Sequence, residues 1–145
     1  MNSISGGAKG LLNMSVQLLN QPTIKEGVKN FDVNYINYLL AALGVNKLHY
    51  GIGFGNPKIE FVVGDEFWST EIKNGGFNTK NGQQDDPDLI ISISREEAVR
   101  ALLASDIKVF MKKSVVDGRT KIQTMSGKAE LLSKGYLSMY EQFGS

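Results

Sequence analysis

The apolar residues of this chain change their period partway along, and that change constrains the fold more than any other feature. Up to Gly44 they recur at helical spacing, and from Lys58 they alternate. Val33, Ile36, Leu39, Leu40 and Leu43 form one stripe of a helix, with Asp32 placed to cap its start and Gly44 suited to the left-handed position after its end. Leu11, Leu12, Leu18 and Leu19 make an earlier helical pattern that stops at Pro22. Beyond these, Ile59, Phe61 and Val63 alternate with Lys58 and Glu60, as in a strand with one buried face. Gly64 and Asp65 turn the chain into a strand over 67–73 that carries Trp68, Thr70 and Ile72 on one face. Asn74, Gly75 and Gly76 turn it again, into a short strand over 77–80. Residues 48–54 are a candidate for one strand more.

A polar loop at 82–87 leads to a largely buried strand over 89–93. Ser94 and Glu97 have capping-box spacing, and the helix they open carries Ala98, Ala101, Leu102 and Leu103 inward. A short helix over 107–111 follows, then a turn at Val116, Asp117 and Gly118, a strand over 119–125 and one closing helix over 128–143. No repeat or long linker divides the chain. The expectation is one α+β domain over 1–145, with 1–30 a helical extension and the helices laid on one side of a sheet.

Composition removes several functions. The formal charge is +1 and Lys112-Lys113 is the nearest approach to a basic cluster, so no nucleic-acid partner is expected. Cysteine is absent, which excludes disulfides, thiolate zinc sites and a cysteine nucleophile. His49, the single histidine, sits beside Tyr50 and reads as a surface or strand residue rather than part of a triad or a metal site. Asp85, Asp86 and Asp88 invite a cation, but Pro87 interrupts the alternation a calcium loop needs, and the run reads as a solvated turn. Gly51, Gly53 and Gly55 resemble a phosphate loop, yet a strand follows where a helix N-terminus is required, so a turn or bulged strand is expected. Of Glu60, Glu66 and Glu71, the first and last fall on the polar strand face. No catalytic residue, metal or cofactor is expected. The enzymatic alternative is a carboxylate such as Asp65 or Glu66 at a pocket mouth, which would need a raised pKa in an apolar cleft. Residues 1–10 lack a basic region followed by an apolar one, so the cytoplasm is the expected location.

What remains is apolar, and a core and a cavity wall have the same composition. A resemblance adds to this. Residues 67–76, Phe-Trp-Ser-Thr-Glu-Ile-Lys-Asn-Gly-Gly, resemble a strand and turn of the sterol carrier protein type two, sterol-binding domain family. Residues 88–94 resemble its aspartate-led strand entering a helix, and 95–105 and 106–112 its next two helices. Gly-Arg-Thr-Lys-Ile at 118–122 is similar to its Gly-Lys-Leu-Lys-Ile strand, and 128–140 falls where its closing helix belongs. The likeness covers about 58–140 and lies in the ordered set, since no single motif is diagnostic. The first hairpin is tighter than in many members, residues through Pro22 have no counterpart, and the Phe-Gly-Ser ending differs from a Ser-Lys-Leu address.

The resemblance implies a curved mixed sheet of five strands, or six with 48–54, covered by helices that enclose a lipid tunnel. It implies non-enzymatic binding or transfer of a small hydrophobic ligand: a sterol, fatty acid, acyl-CoA or isoprenoid. The expected wall is Trp68, Ile72, Ile91, Leu102, Phe110, Met111, Ile122, Leu131 and Tyr136, with Tyr136 or Tyr140 orienting a polar head group. Transient contact with a membrane surface and a homodimer are the further partners expected. The competing expectation is an interaction module with the same fold and a filled cavity, self-associating through an apolar helix over 11–19.

Overall fold

The computed structural model describes residues 32–144, so the expected helix over 11–19 lies outside the described residues. Helix α1 (Val33–Ala42) begins at Asp32, whose carboxylate accepts from the Asn34 N–H at 2.9 Å and the Tyr35 N–H at 3.3 Å. These bonds satisfy two of the donors that a helix start leaves open. Ile36, Leu39, Leu40 and Leu43 are fully buried, and Gly44 leaves the helix with φ 91° into a 3-10 turn, Val45–Lys47. The sixth strand over 48–54 does not form. Glycines at 51, 53 and 55 offer no side chains to a sheet, and the segment closes on itself through a bridge between Gly51 and Gly55.

Five strands follow the alternation: β1 (Lys58–Val63), β2 (Glu66–Lys73), β3 (Gly76–Asn81), β4 (Leu89–Ile93) and β5 (Thr120–Thr124). Their order is β3-β2-β1-β4-β5, antiparallel throughout except where β1 lies parallel to β4. Register places Phe61 between Trp68 and Ile91, so the inward residues of three strands meet on one face. That face carries Ile59, Phe61, Val63, Ile72, Leu89, Ile91 and Ile93, and it packs with Leu39, Leu40, Ala98, Met111 and Met139 in one core. Each such side chain, taken fully out of water, contributes roughly 1.5–3 kcal/mol before entropic costs. The fold is α+β, with a five-stranded mixed sheet and the described helices packed on that apolar face.

Three expectations about helices are corrected. The Ser94 hydroxyl accepts from the Glu97 N–H at 3.0 Å at the start of α2 (Arg95–Leu103), but the Glu97 carboxylate turns inward, so the capping box is half made. The next helix does not stop at residue 111: α3 spans Ile107–Val116, because Ser114 finds buried partners while Lys112 and Lys113 face solvent. The closing helix is two helices, α4 (Lys128–Ser133) and α5 (Tyr136–Gly144), broken where Gly135 takes φ 91°.

Candidate functional site

Asp88 stands just before β4, and it is buried rather than solvated as its acidic run suggests; Asp85 and Asp86 are exposed. Its carboxylate accepts from the Lys134 ammonium at 3.0 Å on both oxygens, from the Tyr136 hydroxyl at 2.9 Å, from the Ser126 hydroxyl at 2.6 Å and from the Lys58 N–H at 2.9 Å. Lys134 also donates to Glu130. Burial alone would raise the Asp88 carboxyl, but the four donors stabilise its charge and hold it below the ordinary carboxylate value. For Lys134 burial opposes the charge, and the Glu130 and Asp88 carboxylates outweigh it and raise its pKa. Burial, followed by the Asp88 charge, pushes Tyr136 up. This cluster joins the start of β1, the end of β5 and both closing helices. It is sealed, and its chemistry is that of a fastener.

A second polar cluster fixes the other end of β5. The buried Glu97 carboxylate accepts from the Ser114 hydroxyl at 2.8 Å and from the Arg119 guanidinium, while Ser114 and Thr120 share a hydrogen bond of 2.7 Å. Arg119 also lies over the Phe110 ring, 5.5 Å from its centroid. Asp65 and Glu66 both pair with Arg95, at 3.6 Å and 2.9 Å, on the β1–β2 turn. His49 is exposed, with Nδ1 3.1 Å from the Tyr50 carbonyl oxygen. Among the described residues no group of three or more His, Asp or Glu is arranged to hold a metal ion.

Between these two clusters, a groove of about 580 Å³ opens along the β5 edge of the sheet. Ile122 and Thr120 of β5, Val115 and Gly118 at the end of α3, and Tyr140 and Phe143 of α5 contribute to its wall. The Tyr140 hydroxyl is buried with no hydrogen-bond partner, and burial raises its pKa to about 12.

Of the ten residues expected to form a binding wall, Ile122 and Tyr140 line this groove. Trp68, Ile72, Ile91, Leu102, Met111 and Tyr136 lie in the packed core, and the Tyr136 hydroxyl is taken by Asp88. Phe110 and Leu131 pack against that core, Phe110 beneath Arg119. Sequence reasoning missed Val115 and Phe143. Phe143 was within reach of it, because Tyr136, Met139, Tyr140 and Phe143 repeat at the spacing of one helical face. Among the described residues no helix is long and apolar enough to cross a membrane. No protein-family model matches the chain, and no curated protein matches it at a significant level.

Proposed function

We propose that this chain is a non-enzymatic carrier of a hydrophobic ligand, of the sterol-carrier kind, and that it holds a sterol, fatty acid, acyl-CoA or isoprenoid. The observation that carries the reading is the groove between the β5 edge and α5, whose wall sets Val115, Ile122, Tyr140 and Phe143 beside Lys121 and Gln123. Its volume of about 580 Å³ falls in the range of small-molecule sites, roughly 300–1,000 Å³. The mixed sheet with helices on one face agrees with the fold that the sequence resemblance implies. A sixteen-carbon chain gains on the order of 10 kcal/mol gross when its methylenes leave water, before association costs are subtracted.

Native mass spectrometry of freshly purified protein tests this directly. A lipid mass should accompany the wild-type chain and be lost from Ile122→Asp, which sets a charge in the groove wall at an edge strand. Circular dichroism of the variant should stay unchanged. If repeated preparations carry no lipid and added fatty acids leave the melting temperature unmoved, the carrier reading fails.

One observation favours the second reading, an interaction module with a filled interior: six of the expected wall residues pack against one another in the core. On that reading the groove stays empty of lipid in every preparation.

A further inference from the structure

The segment between the 3-10 turn and β1 ends in a narrow, self-contained tip. The Phe54 N–H and the Gly55 N–H both donate to the Gly51 carbonyl at 2.9 Å, and the Gly51 N–H donates back to the Gly55 carbonyl at 2.8 Å. Gly53 supplies the positive φ, 85°, that the third residue of such a turn requires. At the base, the His49 N–H donates to the Lys134 carbonyl at 3.1 Å, and a Cβ at Gly51 would meet the Ser133 hydroxyl at 2.8 Å. The base is therefore seated on the α4–α5 corner, which the Asp88 cluster holds. At the apex a Cβ on Gly53 or Gly55 would meet nothing within 4 Å.

From this apex large apolar side chains point into water. Ile52 is 88% exposed, Tyr50 61% and Phe54 47%, and no other large apolar side chain among the described residues is as exposed as Ile52. Exposing three such groups on one turn costs solvation free energy that no contact among the described residues returns. The nearest charges along the chain are basic. No Asp or Glu occurs between Asp32 and Glu60, whereas Lys47 and Lys58 flank the tip. The carboxylates at its base are occupied: Glu130 by Lys134, and Glu71 by the Asn56 amide at 3.0 Å.

We infer that residues 50–54 form an apolar tip that inserts into the interface of an anionic membrane. Two features favour a bilayer over a protein partner. A convex point of three side chains needs a matching pocket on a protein but none in a fluid interface. Within the turn the Gly51 N–H and carbonyl, the Phe54 N–H and the Gly55 N–H and carbonyl are already paired with one another, so that part of its backbone loses little when water is withdrawn. Tyr50 has the amphipathic ring that settles at head-group level, and the flanking lysines complement anionic lipid. The inference does not rest on the carrier reading.

Flotation of the full chain with vesicles tests it. With phosphatidylcholine vesicles containing phosphatidylglycerol the wild-type chain should float, and with phosphatidylcholine alone it should float less. The double variant Ile52→Asp, Phe54→Asp should bind at least about tenfold more weakly, since charged side chains are costly below the head groups. In Phe54→Trp, vesicles should shift the emission of the new indole to the blue, over a constant background from the buried Trp68. Wild-type protein that floats with neither vesicle overturns the inference, and so does a double variant that floats as well as wild type. A chain that floats through its tip yet carries no lipid from purification keeps this inference and sinks the carrier reading.

Discussion

Asp88 shows how far the role of one residue can depend on partners remote in the chain. Ser126, Lys134 and Tyr136 stand 38, 46 and 48 residues away, while its immediate neighbours are two exposed aspartates and a proline. Local sequence therefore reads it as solvated, and nothing in the run Asp85-Asp86-Pro87-Asp88 separates the buried carboxylate from the exposed ones. Its pairing sets the first prediction. Lys134→Met leaves the carboxylate without its counter-ion and should cost about 3–5 kcal/mol, read as a lower urea midpoint. Adding Asp88→Asn removes the stranded charge and should return part of that loss; a double variant no more stable than the single one would contradict the pairing account. The same cluster sets the pH dependence. The lowered Asp88 value contributes stability that is present above its ordinary pKa, about 3.9, and fades as pH falls through the folded value. The raised Lys134 value contributes stability that is full below its ordinary pKa, about 10.4, and fades as pH rises through the folded value. Urea midpoints should hold a plateau from roughly pH 5 to pH 10, and the acid arm of the decline should shrink in Asp88→Asn.

Strands were easier to read than helix ends, for a physical reason. Alternation is tested at every residue, and β1 and β4 bury every second side chain as their sequences imply, while β2 buries Trp68, Thr70 and Ile72 with Ser69 as well. The break between α4 and α5 depends instead on one glycine, and an isolated glycine within a helical pattern is compatible with an unbroken helix. What decides the break is tertiary: Lys134 must reach Asp88 with its side chain while its carbonyl accepts from the His49 N–H. Gly135 then needs φ 91°, and a Cβ there would approach the His49 ring at 3.0 Å. Gly135→Ala should lower stability by roughly 1–2 kcal/mol, the cost of a left-handed L-residue, and Gly135→Asn by less. Equal and negligible losses for both, measured by thermal unfolding, would mean that the corner relaxes to a continuous helix. The Glu97 cluster teaches the same lesson, because capping spacing identifies the start of α2 but not the inward turn of the carboxylate towards Ser114.

At the scale of the molecule, period and turn chemistry made an α+β sheet legible, but not where it leaves room. The inward faces of β1, β2 and β4 meet α1, α2 and α3 so closely that Ile72, Ile91 and Met111 are at most 1% exposed. A groove remains where β5 ends the sheet and α5 passes beside it, which no local pattern encodes. Tyr140 tests what that space is for, because the two readings give its hydroxyl effects of opposite sign. In the ligand-free chain the hydroxyl is buried and unpartnered, a situation that costs about 1–3 kcal/mol of desolvation. Tyr140→Phe should therefore leave the unfolding midpoint unchanged or slightly higher. If the hydroxyl meets the polar end of a ligand, the same substitution should weaken binding by roughly two- to tenfold, the worth of one hydrogen bond. Parallel titrations of both proteins with a fatty acid, followed by the rise in melting temperature that a native-state ligand produces, measure this. Equal shifts would remove Tyr140 from ligand recognition, and a variant clearly less stable without ligand would mean that the hydroxyl serves the fold.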